Sequence, residues 1–461
     1  MAQAMVKQRD LVEVTICDMG MRGEGIAKLH GYTLFVEGGV TGDRLRVRVQ
    51  KANASYGFAK IEEILTPSPL RAKPACPQFA SCGGCSLMHL SYQAQLAHKM
   101  QMVQNNIRKI GGYADDAYEL EPILGAEHML GYRNKAQFPV AWSGKRAVMG
   151  FYAQKSHKVV PTNDCKIQDP AINAAAQACL GYINRVHLAP YDETNGTGEI
   201  RHICIRRLGK EMAVVLVTKS GRPLPNPARL IEALKRLGAT SILQNINPAR
   251  TNVVLGEETR ALYGTDKLHV LLDGLQFEVS VNSFFQVHTH QAERLYQKAV
   301  EYAGLCGRET VFDLYCGAGT ISLFMARHAG SVVGIELVPE AVENARKNAA
   351  QNGILNAAFY AGDCADVVER LARDGTCADV VVVDPPRKGC PPKLLSLILK
   401  MAPKKLVYVS CNSATLARDL QELKKAGLVL CRLTPVDMFP QTSAVESVAL
   451  LKNAGTIPQP L

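Results

Sequence analysis

"TVFDLYCGAGTISLFMARHAG", residues 310–330, decides the fold. It reads as an apolar strand, a loop with two glycines and the start of a helix. Such glycines let the backbone approach a ligand closely, at a helix N-terminus whose N–H groups are unpaired. The same unit recurs downstream. "SVVGIEL" (331–337) is a second strand and places Glu336 at its end, 23 residues after Asp313, where an acidic side chain meets the hydroxyls of a ribose. A helix, "PEAVENARKNAAQNG" (339–353), comes next, then "AAFYAGDC" (357–364) with Asp363 at a strand end. "ADVVVVDPPRKGC" (378–390) is a buried type of parallel strand that terminates in Asp384-Pro385-Pro386. Strand, turn and helix in repetition predict an α/β domain built on a parallel sheet. Ligands of open sheets bind at the carboxyl ends of the strands, and these polar residues gather there. The loop lacks G-x-G-x-x-G, so a dinucleotide is not the expected ligand.

The remaining chain is long enough for further cores: it has 461 residues, 47% of them hydrophobic. No run reaches the roughly 18 apolar residues of a membrane span, and the N-terminal stretch has no signal-peptide core. A cytoplasmic protein without membrane contact is expected. Fourteen cysteines in such a chain argue for reduced thiols, a metal or cluster site and a catalytic thiol, rather than disulfides. A formal charge of +11 and a pI near 9.0 suit a polyanionic partner, and residues 67–170 hold the largest cationic excess. The Pro-rich stretch 65–77 marks a boundary. It gives a division into 1–66, a small β-barrel; 67–280, a mixed α/β region; and 281–461, the α/β domain.

In the first segment, "RLRVRV" (44–49) alternates, setting Arg44, Arg46 and Arg48 on one face, open to solvent or phosphate, and Leu45, Val47 and Val49 on the other. The second segment opens with "CPQFASCGGC" (76–85), a C-x5-C-x2-C array of Cys76, Cys82 and Cys85. Three thiolates need a fourth ligand, and Cys165 in "PTNDCKIQD", again beside turn formers, is the candidate. Four thiolates fit tetrahedral zinc or a [4Fe–4S] cluster, and spacing does not separate the two. "SYQAQLAHKMQMVQNNIRKIGG" (91–112) has a helical period with cations near its end. "GYRNKAQFPVAW" (131–142) then begins a strand behind the polar cluster Arg133, Asn134 and Lys135.

The pattern "GEGIAKLHGYTLFVEGGVTGDRLRVRV" (23–49) resembles the TRAM domain, an RNA-binding β-barrel. "DLYCGAGT" with downstream "DPPR" looks like a class I S-adenosylmethionine methyltransferase. Together with the cysteine array, the order of these parts is similar to the ribosomal RNA uracil-5-methyltransferases that carry a [4Fe–4S] cluster. The resemblance implies a cluster, in preference to zinc, on Cys76, Cys82, Cys85 and Cys165. It implies donor contacts from Gln286 in the "FFQ" segment and from Tyr315, Glu336 and Asp384, with Thr320 and Asp363 as additions. Arg133, Asn134 and Lys135 match a "YRNK" that lies near RNA in the family. The implied substrate is 23S ribosomal RNA more than tRNA, because tRNA-specific relatives commonly lack the barrel and the cluster. A monomer is expected.

The chemistry this resemblance implies needs two reacting groups. Uracil C5 is too weak a nucleophile to take a methyl group unaided; a thiolate added to C6 turns the ring into an enolate whose C5 can attack the sulfonium methyl. A base then removes the C5 proton so that the sulfur can leave. In "YVSCNSATLARDL" (408–420), Cys411 stands between a strand and a helix start whose positive end, with nearby arginines, would favour the thiolate. Glu446, in "DMFPQTSAVESVALL" (437–451), matches the family's general base in its "FP-x-T-x-x-VE" setting. Ser413 replaces the family's usual proline after "SCN", and Gln441 and Ala444 stand where histidines are common. Radical methylthiotransferases, whose cluster motif is C-x3-C-x2-C, cytosine-5-methyltransferases with a second, "PCxG" cysteine, and amino-group methyltransferases with "DPPY" fit less well. Two alternatives stay open: a tRNA uracil-5-methyltransferase and a non-enzymatic RNA-binding protein built on the barrel and a metal cluster.

Overall fold

The computed structural model describes residues 6–454, so the first five residues of the stretch read for a signal core lie outside the described residues. The chain divides into two compact units, Met1–Met102 with Phe151–Val160 and Phe439–Ala444, and Val103–Gly150 with Pro161–Met438 and Val445–Leu461. Residues of the central sequence segment therefore occur in both.

The first unit holds a closed barrel of β1 (Leu11–Met19), β2 (Gly25–Leu29), β3 (Tyr32–Glu37), β4 (Arg44–Ala52) and β5 (Tyr56–Thr66), in the order β1-β2-β3-β5-β4. The period-two pattern dictates its core: Leu34, Val36, Leu45, Val47 and Val49 point inward and are fully buried. Closure leaves no open sheet edge. The outward arginines differ from the expectation of an open cationic face. Arg44 pairs with Glu13 at 3.1 Å, Arg46 with Glu13 and Glu63, and Arg48 with Glu62 at 2.6 Å. Acids on β1 and β5 lie across from β4, so that face is largely neutralised. Behind the barrel, Asp43 is fully buried and takes both arms of Arg71, at 2.7 and 2.6 Å, which fixes the chain as it leaves β5.

Among the described residues the second unit contains, besides a separate antiparallel pair, Lys267–Leu272 with Leu275–Ser280, two larger sheets. In one, the strands Glu258–Tyr263, Ser241–Ile246, Glu211–Thr218, Ile200–Leu208 and Lys135–Ser143 are consecutive neighbours, and only the pairing of Glu211–Thr218 with Ser241–Ile246 among them is parallel. The other has eight strands in the order Ala357–Ala361, Ser331–Glu336, Thr310–Leu314, Val380–Val383, Lys405–Ser410, Glu446–Asn453, Leu428–Val436 and Glu119–Leu120. Its first five are mutually parallel, and Glu446–Asn453 runs antiparallel to both neighbours. Val380–Val383 is buried along its whole length, as a strand covered on both faces must be. Strand order reverses between Thr310–Leu314 and its neighbour Val380–Val383, which opens a crevice at their carboxyl ends. Among the described residues no helix is long and apolar enough to cross a membrane.

Candidate active site

The crevice is a cavity of about 330 Å3. Gln286, Tyr315, Thr320, Glu336 and Asp384 line it, with Tyr296 and Asn344. Five of the six donor contacts expected from the sequence are thus brought together. Asp363 is not among the lining residues. It caps the helix Cys364–Arg373, accepting from the N–H groups of Ala365 at 2.9 Å and Asp366 at 3.4 Å.

The glycine loop works as its sequence requires. Gly319 has φ +81° and begins the helix Thr320–Ala326; a Cβ there would stand 3.0 Å from Ala345 Cβ. Tyr315 also has positive φ, +68°, unusual for a ring-bearing residue. Its N–H and that of Cys316 both donate to Ile335 O, at 2.9 and 3.1 Å, which holds the turn against the next strand. Glu336 accepts from Gly317 N at 3.1 Å and Val338 N at 3.0 Å, so its carboxylate is oriented before any ligand arrives. Cys316, Cys364 and Cys390 are buried, and burial pushes their thiols up, as suits packing residues.

Three carboxyls gather here: Asp384 lines the cavity, and Asp313 and Glu446 lie close enough to Asp384 to feel its charge. Asp313 is fully buried, with one oxygen accepting from Ser322 Oγ at 2.5 Å. Burial raises Asp313 and Asp384 to about 7, and nearby Asp384 raises Asp313 further. Glu446 is raised to about 8 by burial and then by Asp384, with Arg387 opposing. Acids packed this closely favour an incoming cation, because it relieves both the desolvation and the mutual repulsion. The chemistry of this donor set fits a sulfonium ligand.

Cys411 joins this group through strand register. Antiparallel pairing runs from Lys405↔Lys452 to Ser410↔Ser447, and one further step sets Cys411 opposite Glu446. The helix Ser413–Lys425 begins behind it, with the Asn412 side chain accepting from Ala414 N at 3.1 Å. Asn412 Nδ2 and Thr415 Oγ1 donate to Arg387 O, at 3.3 and 3.2 Å, and Arg418 Nη2 donates to Lys388 O at 2.8 Å, so one helix fixes both the thiol loop and the "DPPRKGC" loop. Buried Asn106 donates to Ser413 Oγ at 2.9 Å, giving the serine that replaces the family's proline its own tether. Gln441, in the first unit, exchanges two hydrogen bonds with Gln95, at 2.9 and 3.0 Å.

One expectation is reversed. The helix start and Arg387 do not leave Cys411 a readily ionised thiol: burial, then Glu446 and Asp384, push it up to about 11, and Arg387 only partly offsets them. In the donor-free protein the thiol keeps its proton.

Three functional groups escaped sequence reading. Tyr296, on the helix Thr289–Ala303, is buried at the cavity wall with Asp384 and Glu446 nearby and its hydroxyl bonded to Thr320. Arg387 is a cation whose charge acts on both Cys411 and Glu446, lowering each. Arg206, read as scaffold, is 3% exposed and donates to Ser280 O and Ser283 O, at 2.9 and 2.8 Å, pinning the Asn282–Gln286 wall. Arg206 follows the apolar "ICI" at 203–205, and a charge set against such a buried type of run was the available signal. Asn134 pins the same wall: it is buried, and its amide donates to Gln286 O at 2.9 Å and Thr289 Oγ1 at 3.0 Å. Lys135 is half-buried and lowered to about 8 by burial and then by Arg206, while Arg133 is half-buried with its N–H on Ile167 O at 2.9 Å.

Cys76, Cys82 and Cys85 lie half-buried in the first unit and Cys165 in the second. Gly84 N donates to Cys82 Sγ at 3.4 Å, and burial followed by the neighbouring Cys76 raises the Cys82 thiol. Among the described residues, no group of three or more His, Cys, Asp or Glu side chains is arranged to hold a metal ion. The thiols and the amide directed at sulfur suit a thiophilic metal or cluster in chemical type.

Comparison with known proteins bears on the whole chain. A family model described as tRNA (Uracil-5-)-methyltransferase matches residues 249–454, and one described as TRAM domain matches residues 6–61. Uncharacterized RNA methyltransferases of Halalkalibacterium halodurans and Listeria innocua are each 42% identical, covering 98% of this chain and 98% and 99% of theirs. The crystal structure of Pyrococcus abyssi tRNA (uracil-54, C5)-methyltransferase in complex with S-adenosyl-L-homocysteine is similar with a TM-score of 0.76 and 26% identity, covering 95% of this chain and 99% of that one.

Proposed function

Because this chain belongs to the S-adenosylmethionine-dependent RNA uracil-5-methyltransferases, with an N-terminal TRAM domain, we propose that it methylates C5 of a uridine in 23S ribosomal RNA through a covalent bond between Cys411 and C6. The observation that carries this reading is the placement of Cys411 across from Glu446 beside a cavity lined by Gln286, Tyr315, Glu336 and Asp384. Cys411 loses its proton to solvent and adds as the thiolate to C6, the resulting enolate carbon C5 takes the methyl group from the sulfonium of S-adenosylmethionine as that sulfur–methyl bond breaks, and the Glu446 carboxylate removes the C5 proton as the Cys411 thiolate leaves. Glu446, raised to about 8, is a stronger base than an ordinary carboxylate, and its ionised form, which grows as pH rises through 8, accepts the C5 proton. Thr320 adds a donor contact and Arg133 and Lys135 contact the RNA, whereas Asp363 as a helix cap and buried Asn134 as a wall anchor support the site from behind. The flipped uridine costs a few kcal/mol of stacking, which RNA contacts elsewhere on the protein offset.

Cys76, Cys82, Cys85 and Cys165 would hold a [4Fe–4S] cluster, in preference to zinc, which supplies a fixed point for shaping the RNA surface. The thiol spacing and the Gly84 amide directed at Cys82 support this. Anaerobic purification followed by iron, zinc and sulfide analysis distinguishes the two occupants. The protein acts as a monomer in the cytoplasm.

A tRNA substrate is the second reading, favoured by the full-length similarity to the Pyrococcus abyssi tRNA enzyme. Mass mapping of 5-methyluridine in both ribosomal and transfer RNA, from cells with and without the protein, separates the two. Loss from ribosomal RNA supports the first reading; loss from tRNA alone replaces it. Cys411→Ala is expected to abolish methylation, whereas full turnover by that variant removes the covalent step.

A further inference from the structure

The outer face of the barrel carries three aromatic rings in mutual contact. Phe35 on β3 and Tyr56 and Phe58 on β5 point outward by strand alternation, and parallel register pairs Phe35 with Phe58. Phe35 and Phe58 stack with centroids 5.6 Å apart at 29°; Tyr56 stands edge-on to both, at 6.0 and 5.8 Å. Gly57, between the two rings of β5, faces inward, where a Cβ would lie 2.8 Å from Lys51 O and 3.1 Å from the Tyr32 hydroxyl. The glycine therefore lets β5 run tight against the barrel interior while both neighbouring rings face outward. Tyr56 is 42% exposed and Phe58 40%, a clustering of apolar surface that isolated surface residues do not produce.

The charge around the rings differs from that on the rest of the barrel. Lys51 pairs with Phe58 across β4, and Lys28 lies beside Thr33 on the far side of β3. Both lysines are exposed, and among the described residues neither forms an ion pair with a carboxylate. The arginines of β4, by contrast, are occupied by Glu13, Glu62 and Glu63. Flat exposed rings flanked by unpaired cations fit bases joined by phosphates, since every base offers a π-face and every linkage a negative charge.

We propose that Phe35, Tyr56 and Phe58 form a stacking platform for unpaired bases of a single-stranded RNA segment, with Lys28 and Lys51 engaging its phosphates. The proposal rests on the reading that the substrate is RNA. The rings read base planes without sequence preference, so they add affinity rather than choice of the methylated residue.

The test is fluorescence anisotropy of the full-length protein with a labelled 12-nucleotide single-stranded RNA of mixed sequence, across a range of salt, with ribosomal RNA as a parallel ligand. Tyr56→Ala and Phe58→Ala are each expected to weaken binding by about tenfold. Tyr56→Phe keeps the ring and the affinity. Lys51→Ala is expected to lower the slope of log affinity against log salt by about one, while Arg46→Ala leaves it unchanged. S-adenosylmethionine binding stays the same in all variants and reports an intact fold. Unchanged RNA affinity in the Tyr56→Ala/Phe58→Ala double variant overturns the platform. Self-association of the wild type that the double variant lacks, with RNA affinity unchanged, also overturns it and makes the patch a contact between copies. If the wild type binds neither RNA, the RNA reading itself falls and the platform with it.

Discussion

Removing the carboxylate of Glu446 tests the electrostatics of the site directly. Cys411 stands at about 11 against an ordinary 9.0, pushed up first by burial and second by Glu446. Glu446→Gln keeps shape and burial but deletes the second cause, so the thiol is expected to fall below about 11, each tenfold gain in thiolate corresponding to about 1.4 kcal/mol. The difference depends on pH, because Glu446 itself titrates near 8. Below about pH 7 the wild-type carboxyl is protonated, so the two proteins hold the same small thiolate fraction. Near pH 9 the wild-type carboxylate is ionised, and the variant is expected to react about tenfold faster. The assay is the iodoacetamide alkylation rate from pH 6 to 10, followed by mass spectrometry of the tryptic peptide 406–418, in which Cys411 is the only cysteine. A rate ratio near one at every pH would refute the proposed coupling between Glu446 and the thiol. An apparent wild-type pKa at or below that of a free cysteine would refute the buried, acid-surrounded thiol altogether.

Donor binding is expected to strengthen as pH rises from about 6 to 8, since Asp313 and Asp384, raised to about 7, must ionise to favour a sulfonium. Calorimetry in buffers of different ionisation enthalpy would detect the released protons, and Asp384→Asn would weaken binding and flatten the profile. Folded-state pKa values above the unfolded 3.8 mean the opposite sign for the donor-free protein: these two groups favour folding below about pH 4, and that contribution is lost as pH rises through about 7, a trend readable in thermal melts. Ser413→Ala leaves the buried Asn106 amide without its partner at 2.9 Å and is expected to cost about 1–3 kcal/mol in urea unfolding. Gly319→Ala forces a Cβ into a φ of +81° at 3.0 Å from Ala345 Cβ, with an expected loss of about 1 kcal/mol or more in stability and weaker donor binding by titration.

The sequence by itself determined the parts. Strand–glycine–helix repetition specified the parallel sheet and its ligand-binding rim, and period-two alternation specified the barrel and its core, because both patterns are local and each residue's face follows from its neighbours. Resemblance then named Cys411 and Glu446, and the two strands that carry them lie next to each other in the sheet. Only tertiary structure decided what surrounds them. Whether Arg44, Arg46 and Arg48 face phosphate or glutamate depended on Glu13, Glu62 and Glu63 arriving from other strands. Whether Cys411 is ionised depended on Glu446 from a neighbouring strand, on Asp384 and Arg387 from one loop, and on burial that no local pattern encodes. Asn134 and Arg206 hold the donor wall from a different sheet, at separations of 152 and 74 residues from Gln286 and Ser280. Charge and solvation are summed over everything within several ångströms, and that neighbourhood exists only once the chain has folded.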